Sequence, residues 1–239
     1  MKKAAQRQKT APPHSIGTER ESSLHRALKY RYAGETGQTE YELENYVCDV
    51  YTGGGEALEI QTGSFGPLDE KLRSLCRLSP VRIIHPVVIH KYIELYDTEG
   101  SLIRSRKSNR DGSVWDLFKN LLYAPELPLL PSLAIELALI DVKEKRVDDG
   151  KGSWRRRGAS IRDRELLAWH ESIELKNISD YRRFVPFAPG TEFTVRDLAK
   201  QARIQAPLAG KTLYVLNKIG IVKRVGKRGR AILYSHTQT

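Results

Sequence analysis

Cys48-Asp49-Val50 and Leu58-Glu59-Ile60-Gln61-Thr62 are two short apolar runs, each with one acid in it, joined by the turn Thr52-Gly53-Gly54-Gly55. Two strands folded back at that turn bring Asp49 and Glu59 together at one end of a small sheet. Paired carboxylates repel unless a cation lies between them, and a hard divalent ion with oxygen ligands is the usual partner. An acid in an apolar strand also loses hydration on burial, which favours a role for it over chance placement. The competing reading is that both are ordinary strand-end acids.

The surrounding pattern extends this reading. Leu24, Leu28 and Tyr32 recur at helical spacing, which predicts a helix over residues 23–33. Residues 41–51 alternate and predict one strand, and residues 57–62 a second. Leu68, Leu72 and Leu75 mark another helix. Val81 to Ile89 is rich in β-branched residues and suits a strand covered on both faces. Residues 92–96 extend or pair with it, and residues 101–104 return. A basic loop, residues 104–110, precedes a helix over 114–123, and residues 133–142 form a further buried strand. Residues 143–161 read as a charged hairpin or loop holding Arg155-Arg156-Arg157, and the pattern of 163–169 is equally open to strand or helix. Residues 1–20 are polar and basic with Pro12-Pro13 and no periodicity, the composition of a disordered tail.

Charge is segregated. Lys and Arg number 21 against 22 acids over residues 1–150, but 19 against 7 over residues 151–239. A polyanion, most simply nucleic acid, is the expected partner. A membrane is not, because no apolar run approaches the ~18 residues of a span and no basic amphipathic helix is evident. The N-terminus lacks the apolar segment of a secretion signal. Two unpatterned cysteines, Cys48 and Cys76, suit a reducing compartment, so the expected location is cytoplasmic. No Cys/His spacing fits zinc.

After residue 177 the pattern changes to a helix over 178–185, a helix over 195–202 capped by Thr194, a helix over 207–219 ended by Gly220, and a hairpin with a cationic tip. Thr-Val-Arg-Asp-Leu-Ala (194–199) and Leu-Asn-Lys-Ile-Gly-Ile-Val (216–222) resemble the corresponding stretches of winged helix-turn-helix proteins. That resemblance implies a DNA-binding module over residues 176–239. Lys211 and Lys218 would lie on the helix entering the groove, and Lys223, Arg224, Lys227, Arg228 and Arg230 on the wing. The alternative is a winged helix used for protein contacts.

The order helix, strand, turn, strand, helix, strand over residues 21–175 resembles the core of PD-(D/E)xK nucleases. The resemblance implies an α/β mixed sheet flanked by helices, with Asp49 as the first acid and Glu59-Ile60-Gln61 as an E-x-Q form of the second motif. It implies Mg²⁺ (or Mn²⁺) held by Asp49 and Glu59, and hydrolysis of DNA phosphodiesters. Gln61 stands where the family has lysine, so Lys71 on the following helix is assigned the missing charge, with Lys29 the second candidate and Glu42 a weak extra acid. Arg106, Lys107 and Arg110 would grip the backbone of double-stranded or branched DNA, and a homodimer would suit cutting both strands. More widely, the motifs Leu-His-x-x-Leu-Lys, Val-Cys-Asp-Val, Leu-Glu-Ile-Gln-Thr-Gly-Ser-Phe and Arg-Ile-Ile-His-Pro resemble a family of uncharacterised prokaryotic proteins. The runner-up function is a non-catalytic DNA-binding regulator with an inactive nuclease-like core, and an RNA-processing nuclease is a third possibility. His25 reads as a helix-surface or core-edge residue, His85 as a structural residue at a strand end, and His90 and His170 as partnerless.

Overall fold

A computed structural model describes residues 21–237. The tail expected over residues 1–20 lies outside the described residues. Helix α1 (Ser23–Ala33) opens on Ser22, whose side chain accepts from the His25 backbone N–H. Strands β1 (Gln38–Leu43), β2 (Tyr46–Tyr51) and β3 (Ala57–Ile60) form an antiparallel meander. Residues 41–51, expected as one strand, are therefore the arms of a tight hairpin. Glu44 takes φ +55° at its turn, a conformation that periodicity does not reveal. Helix α2 (Asp69–Leu75) then crosses to β4 (Val81–Tyr96), which lies parallel to β3.

Strand β4 is a single strand of 16 residues, absorbing both of the runs expected there. Its antiparallel partner β5 (Leu102–Lys107) takes in most of the segment expected as a basic loop. Strand β3 ends opposite Ile84 and β5, running antiparallel, ends opposite Tyr92, leaving a stretch of one β4 edge without a strand. Pro86, which has no N–H to offer a ladder, falls in that stretch. The backbone N–H of Gly112 reaches in to donate to the Val88 carbonyl at 2.7 Å. A Cβ at Gly112 would lie 2.3 Å from that same oxygen, so only glycine permits the approach.

Helix α3 (Leu117–Asn120), flanked by 3₁₀ turns, leads to β6 (Leu133–Val147), parallel to β4 along its length, and then to antiparallel β7 (Ser160–Leu175). The undecided segment 163–169 is thus strand. The sheet order is β1-β2-β3-β4-β6-β7, with β5 on β4. The result is a mixed α/β sheet with helices on both faces. On one face Leu24 and Leu28 of α1 pack on Val50, Leu58, Ile60, Ile84, Ala138, Ile140 and Val142. On the other, Leu72 and Leu75 of α2 and Phe118 of α3 cover Ala57, Val81, Ile83 and Val87.

A seven-residue 3₁₀ segment (Ile178–Phe184) replaces the α-helix expected there. It precedes α4 (Val195–Gln201), α5 (Ala206–Lys218) and the two-stranded sheet β8 (Val222–Arg228) with β9 (Ala231–His236). Thr194 and Asp197 form a reciprocal capping box at the start of α4. Gly220, at φ +78°, ends α5. Helix α5 packs on α4 and also on α3, and the apolar core of the large sheet continues into this C-terminal unit without a break.

Candidate functional site

The β2–β3 ladder holds Val50 opposite Leu58 and Tyr51 opposite Ala57. Beyond it the strands part at Asp49. In β1 the residue between Asp49's neighbours on the ladder, Glu40, takes φ +52°, a left-handed conformation that costs a side-chain-bearing residue about 1 kcal/mol. Asp49 fills the opening: its Oδ2 accepts the backbone N–H of Ile60 at 2.7 Å. Two α1 side chains close on it, His25 Nε2 at 3.3 Å from Oδ2 and Lys29 Nζ at 3.4 Å from Oδ1. Glu21 completes the group, 2.6 Å from His25 Nδ1 and 2.8 Å from Lys29 Nζ, and Glu40 also pairs with Lys29.

Burial works against charge on the His25 ring, but hydrogen bonds to Asp49 and Glu21 prevail and push its pKa up to about 9. Both ring nitrogens then donate, and Nε2 also reaches the Ile60 carbonyl at 3.1 Å. The same contacts hold the Asp49 carboxyl below the ordinary range, overcoming a burial that would raise it. Burial likewise opposes the Lys29 ammonium, but Glu21, Glu40 and Asp49 hold it charged.

Glu59 belongs to the other face. Alternation from Leu58 and Ile60, which pack under α1, turns it toward α2. It is 3% exposed, and its Oε1 lies 2.7 Å from Lys71 Nζ. The Lys71 ammonium is thus the partner of Oε1 within the fold. Burial is the main force pushing the Glu59 pKa up, to about 7. Lys71 opposes the rise and the Asp49 charge adds to it. The two acids therefore feel each other's charge, while each has its own cation, from helices on opposite faces of the sheet.

Gln61 is turned back on the following loop, its Nε2 donating to the Ser64 carbonyl at 2.8 Å. Its own carbonyl accepts from His85 Nδ1 at 2.6 Å. His85 Nε2, left as an acceptor, takes a hydrogen bond from Asn120 at 3.1 Å, and burial lowers the His85 pKa, so this ring is neutral. His85 sits in the interior of β4 rather than at a strand end. His90 and His170 do have a partner, Asp141: it accepts from the His90 backbone N–H at 3.1 Å and lies 2.9 Å from His170 Nε2. Glu42, in β1, is exposed and pairs across the ladder with Val47, away from the acids. Among the described residues no group of three or more His, Cys, Asp or Glu is placed to hold a metal ion.

The expected backbone grip divides. Arg110 lines a cavity of about 320 Å³ with Thr62, Leu24, Lys91 and Lys119, and neither Asp49 nor Glu59 forms part of its wall. Arg106 lines a different cleft, with Arg104, Arg146 and Arg155–Arg157. Lys107 is exposed in β5. In the C-terminal unit, Lys211 is half-buried and Lys218 lies 3.9 Å from Glu126, so α5 presents less charge outward than its sequence suggests. Lys223, Arg224, Lys227, Arg228 and Arg230 are all exposed on the two-stranded sheet, with Arg228 3.9 Å from Asp197.

Sequence reasoning missed His25 as a partner of Asp49, and Glu21 as the acid behind His25 and Lys29. The one signal was spacing: His25 and Lys29 are i,i+4 on one face of α1, and Glu21 lies four residues before His25, just ahead of the cap. It also missed a second ionic group, in which Arg82 joins Glu56, Glu136 and Glu174, and Glu136 accepts from Tyr32. Its members are 26 to 92 residues from Arg82 in the chain, too far apart for any local pattern.

Residues 22–176 match a family described as a domain of unknown function, DUF8091. An uncharacterised protein of Treponema pallidum (strain Nichols) is 31% identical over 221 residues, covering 92% of this chain and 87% of its own. No solved structure matches. Among the described residues no helix is long and apolar enough to cross a membrane.

Proposed function

The chain belongs to the DUF8091 family, and we propose that it is a nuclease of the PD-(D/E)xK kind, hydrolysing nucleic-acid phosphodiesters and held on DNA in part by a winged C-terminal unit. The observation that carries this reading is the meander β1-β2-β3 followed by α2 and a parallel β4, with Asp49 at the point where β2 and β3 part and the Glu59–Lys71 pair on the α2 side of β3.

The donor set fits a hard cation in kind. Asp49 and Glu59 are carboxylates, and Mg²⁺ characteristically takes one or two carboxylates with water and substrate phosphate as its other ligands; the ion would displace the cations of the chain that now pair with both acids. When bound, it would supply Lewis-acid charge to a phosphoryl oxygen and lower the pKa of a water. The chain's own residues divide the remaining work. His25, with its pKa at about 9, stays protonated at neutral pH; it keeps Asp49 ionised and is not a base. Burial raises the Glu59 pKa to about 7, and a bound cation would favour its ionised form, so Glu59 serves as a ligand and not as the base. Lys71 carries the positive charge that Gln61 lacks, within reach of Glu59, and balances charge on a phosphorane. Gln61, tied to Ser64, shapes the turn instead of orienting water.

A second reading, non-catalytic binding, is favoured by one specific observation: both acids are already ion-paired within the fold. Incubating the protein with plasmid, linear and branched DNA and with RNA, in Mg²⁺ or Mn²⁺, separates the two. Cleavage that disappears in Asp49→Ala and Glu59→Ala while binding persists supports the nuclease. Salt-sensitive binding with no cleavage of any substrate leaves only the binding protein.

A further inference from the structure

A cluster of arginines lies away from the acids, where β5 pairs with the second half of β4 and β6 turns back into β7. A cleft of about 420 Å³ is lined there by Arg104, Arg106, Arg146, Arg155, Arg156 and Arg157, with Asn109 and no acid. Strand register accounts for half of it. Arg104 lies beside Leu95 on β4, Leu95 beside Arg146 on β6, and Arg106 beside Ile93. Ile93, Leu95 and Ala159 line a small adjoining pocket together with Arg104, Arg106, Arg146 and Arg156. Guanidinium groups beside apolar side chains attract an anion more strongly than they would in open water.

The remaining arginines come from the β6–β7 connection, whose shape is specified by the backbone. Gly152 donates to the Gly158 carbonyl at 2.6 Å, and a Cβ at Gly152 would fall 1.8 Å from the Ala159 carbonyl oxygen. Arg157 takes φ +54° at the end of a 3₁₀ turn, and Arg156 Nε is anchored on the Ala159 carbonyl at 3.1 Å. Of the six, Arg146 is offset by Glu144 at 2.5 Å. The other five enter no ion pair with an acid of the described residues. On the same turn Trp154 is 82% exposed, with the Arg155 guanidinium 5.5 Å from its ring.

We infer that this cleft is a binding site for the phosphates of a single-stranded nucleic acid, with Trp154 stacking a base beside it. Clustered arginine recognises phosphate bidentately, and an aromatic face next to a cationic track suits unpaired bases, whose faces are free. A duplex offers the same phosphates but keeps its bases stacked inside. The inference rests on the nucleic-acid reading above and refines its substrate: a single-stranded stretch or end lies along this cleft.

The test uses the full-length protein in EDTA, so that binding is read whether or not the core cuts. Oligothymidine, its duplex with oligoadenine and inorganic polyphosphate are titrated over a salt series while tryptophan fluorescence is followed. Single strand is expected to bind more tightly than duplex and to quench fluorescence, and the quench should vanish in Trp154→Phe. Trp154→Ala should weaken single-strand binding at least about fivefold, the low end of what base stacking on an aromatic ring provides. Arg155→Gln with Arg157→Gln should flatten the salt slope by about 1.4, two single-strand phosphate contacts' worth. Arg155→Lys with Arg157→Lys, which keeps the charge, should recover most of that slope. Equal affinity for duplex, polyphosphate binding as tight as oligothymidine, or unchanged slopes in folded arginine variants would overturn the inference. Single-strand binding in EDTA, alongside no cleavage of plasmid, linear or branched DNA or RNA in Mg²⁺ or Mn²⁺, leaves it standing and removes the nuclease.

Discussion

Two parts of this molecule gather like charge, and they treat it oppositely. Around Asp49 and Glu59 the fold supplies its own counterions, with His25 and Lys29 from α1 on one face and Lys71 from α2 on the other. In the hairpin cleft six arginines meet and one acid, Glu144, answers them from behind. Buried charge has to be compensated within the chain, because water cannot reach it. Exposed arginines can be left to solvent, and their compensation can come from a ligand. The difference teaches where removing charge should unfold the protein and where it should only loosen a partner.

The largest effect should come from breaking the internal compensation. Lys71→Met leaves Glu59 buried without its ion-pair partner, and should cost about 3 kcal/mol at pH 8, the scale of a buried pair losing one partner. At pH 5, below the raised Glu59 pKa, the acid takes up a proton and most of that loss should disappear. Urea unfolding at the two pH values measures it, and a pH-independent loss would show that Lys71 acts by packing alone.

Removing the Asp49 charge comes next. Asp49→Asn strands the His25 and Lys29 cations against Glu21 and Glu40 and should cost about 1–3 kcal/mol. The His25 pKa should fall from about 9 toward its ordinary value, visible in an NMR titration.

The pH dependence of the intact protein is a smaller effect with a fixed sign. Glu59 holds its proton more tightly folded than unfolded, so its contribution to stability is present below about pH 4.5 and declines as pH rises to about 7. His25 is also raised: its contribution is complete below about pH 6.5 and is lost as pH rises through 9. Melting temperature should therefore fall from pH 5 to pH 9, and Glu59→Gln should flatten the first half of the fall. A rise over that range would reverse the assignment.

The smallest effect sharpens the contrast. Arg155→Gln with Arg157→Gln should change stability by no more than about 0.5 kcal/mol, as surface substitutions do. A larger loss would mean that the cleft arginines are structural after all.

Helices α1, α2, α4 and α5 were legible in the sequence, because apolar residues at helical spacing and caps such as Thr194 and Gly220 are local signals. So was the glycine turn at residues 52–55, whereas the expected shared site of Asp49 and Glu59 was not found: Asp49 takes its cations from α1 and Glu59 from α2, on opposite faces of the sheet. Strand lengths were not legible. The Lys- and Arg-bearing ends of β4, β5, β6 and β7 are half-exposed hairpin arms, and a solvated strand carries little of the alternation that marks a half-buried one. Residues 104–107 therefore read as loop, and the arginine cleft that they help to build went unseen.

The one-dimensional pattern alone determined which segments are apolar, where the chain turns, and that cationic charge collects after residue 150. Only the tertiary structure decided which charges cancel. His25 and Asp49 are 24 positions apart in the chain, and Arg104 and Arg146 are 42 apart. One pair is brought together by a helix docking on a strand, the other by register across three strands. Electrostatic compensation depends on distance and burial, which a linear sequence does not carry until the sheet has formed.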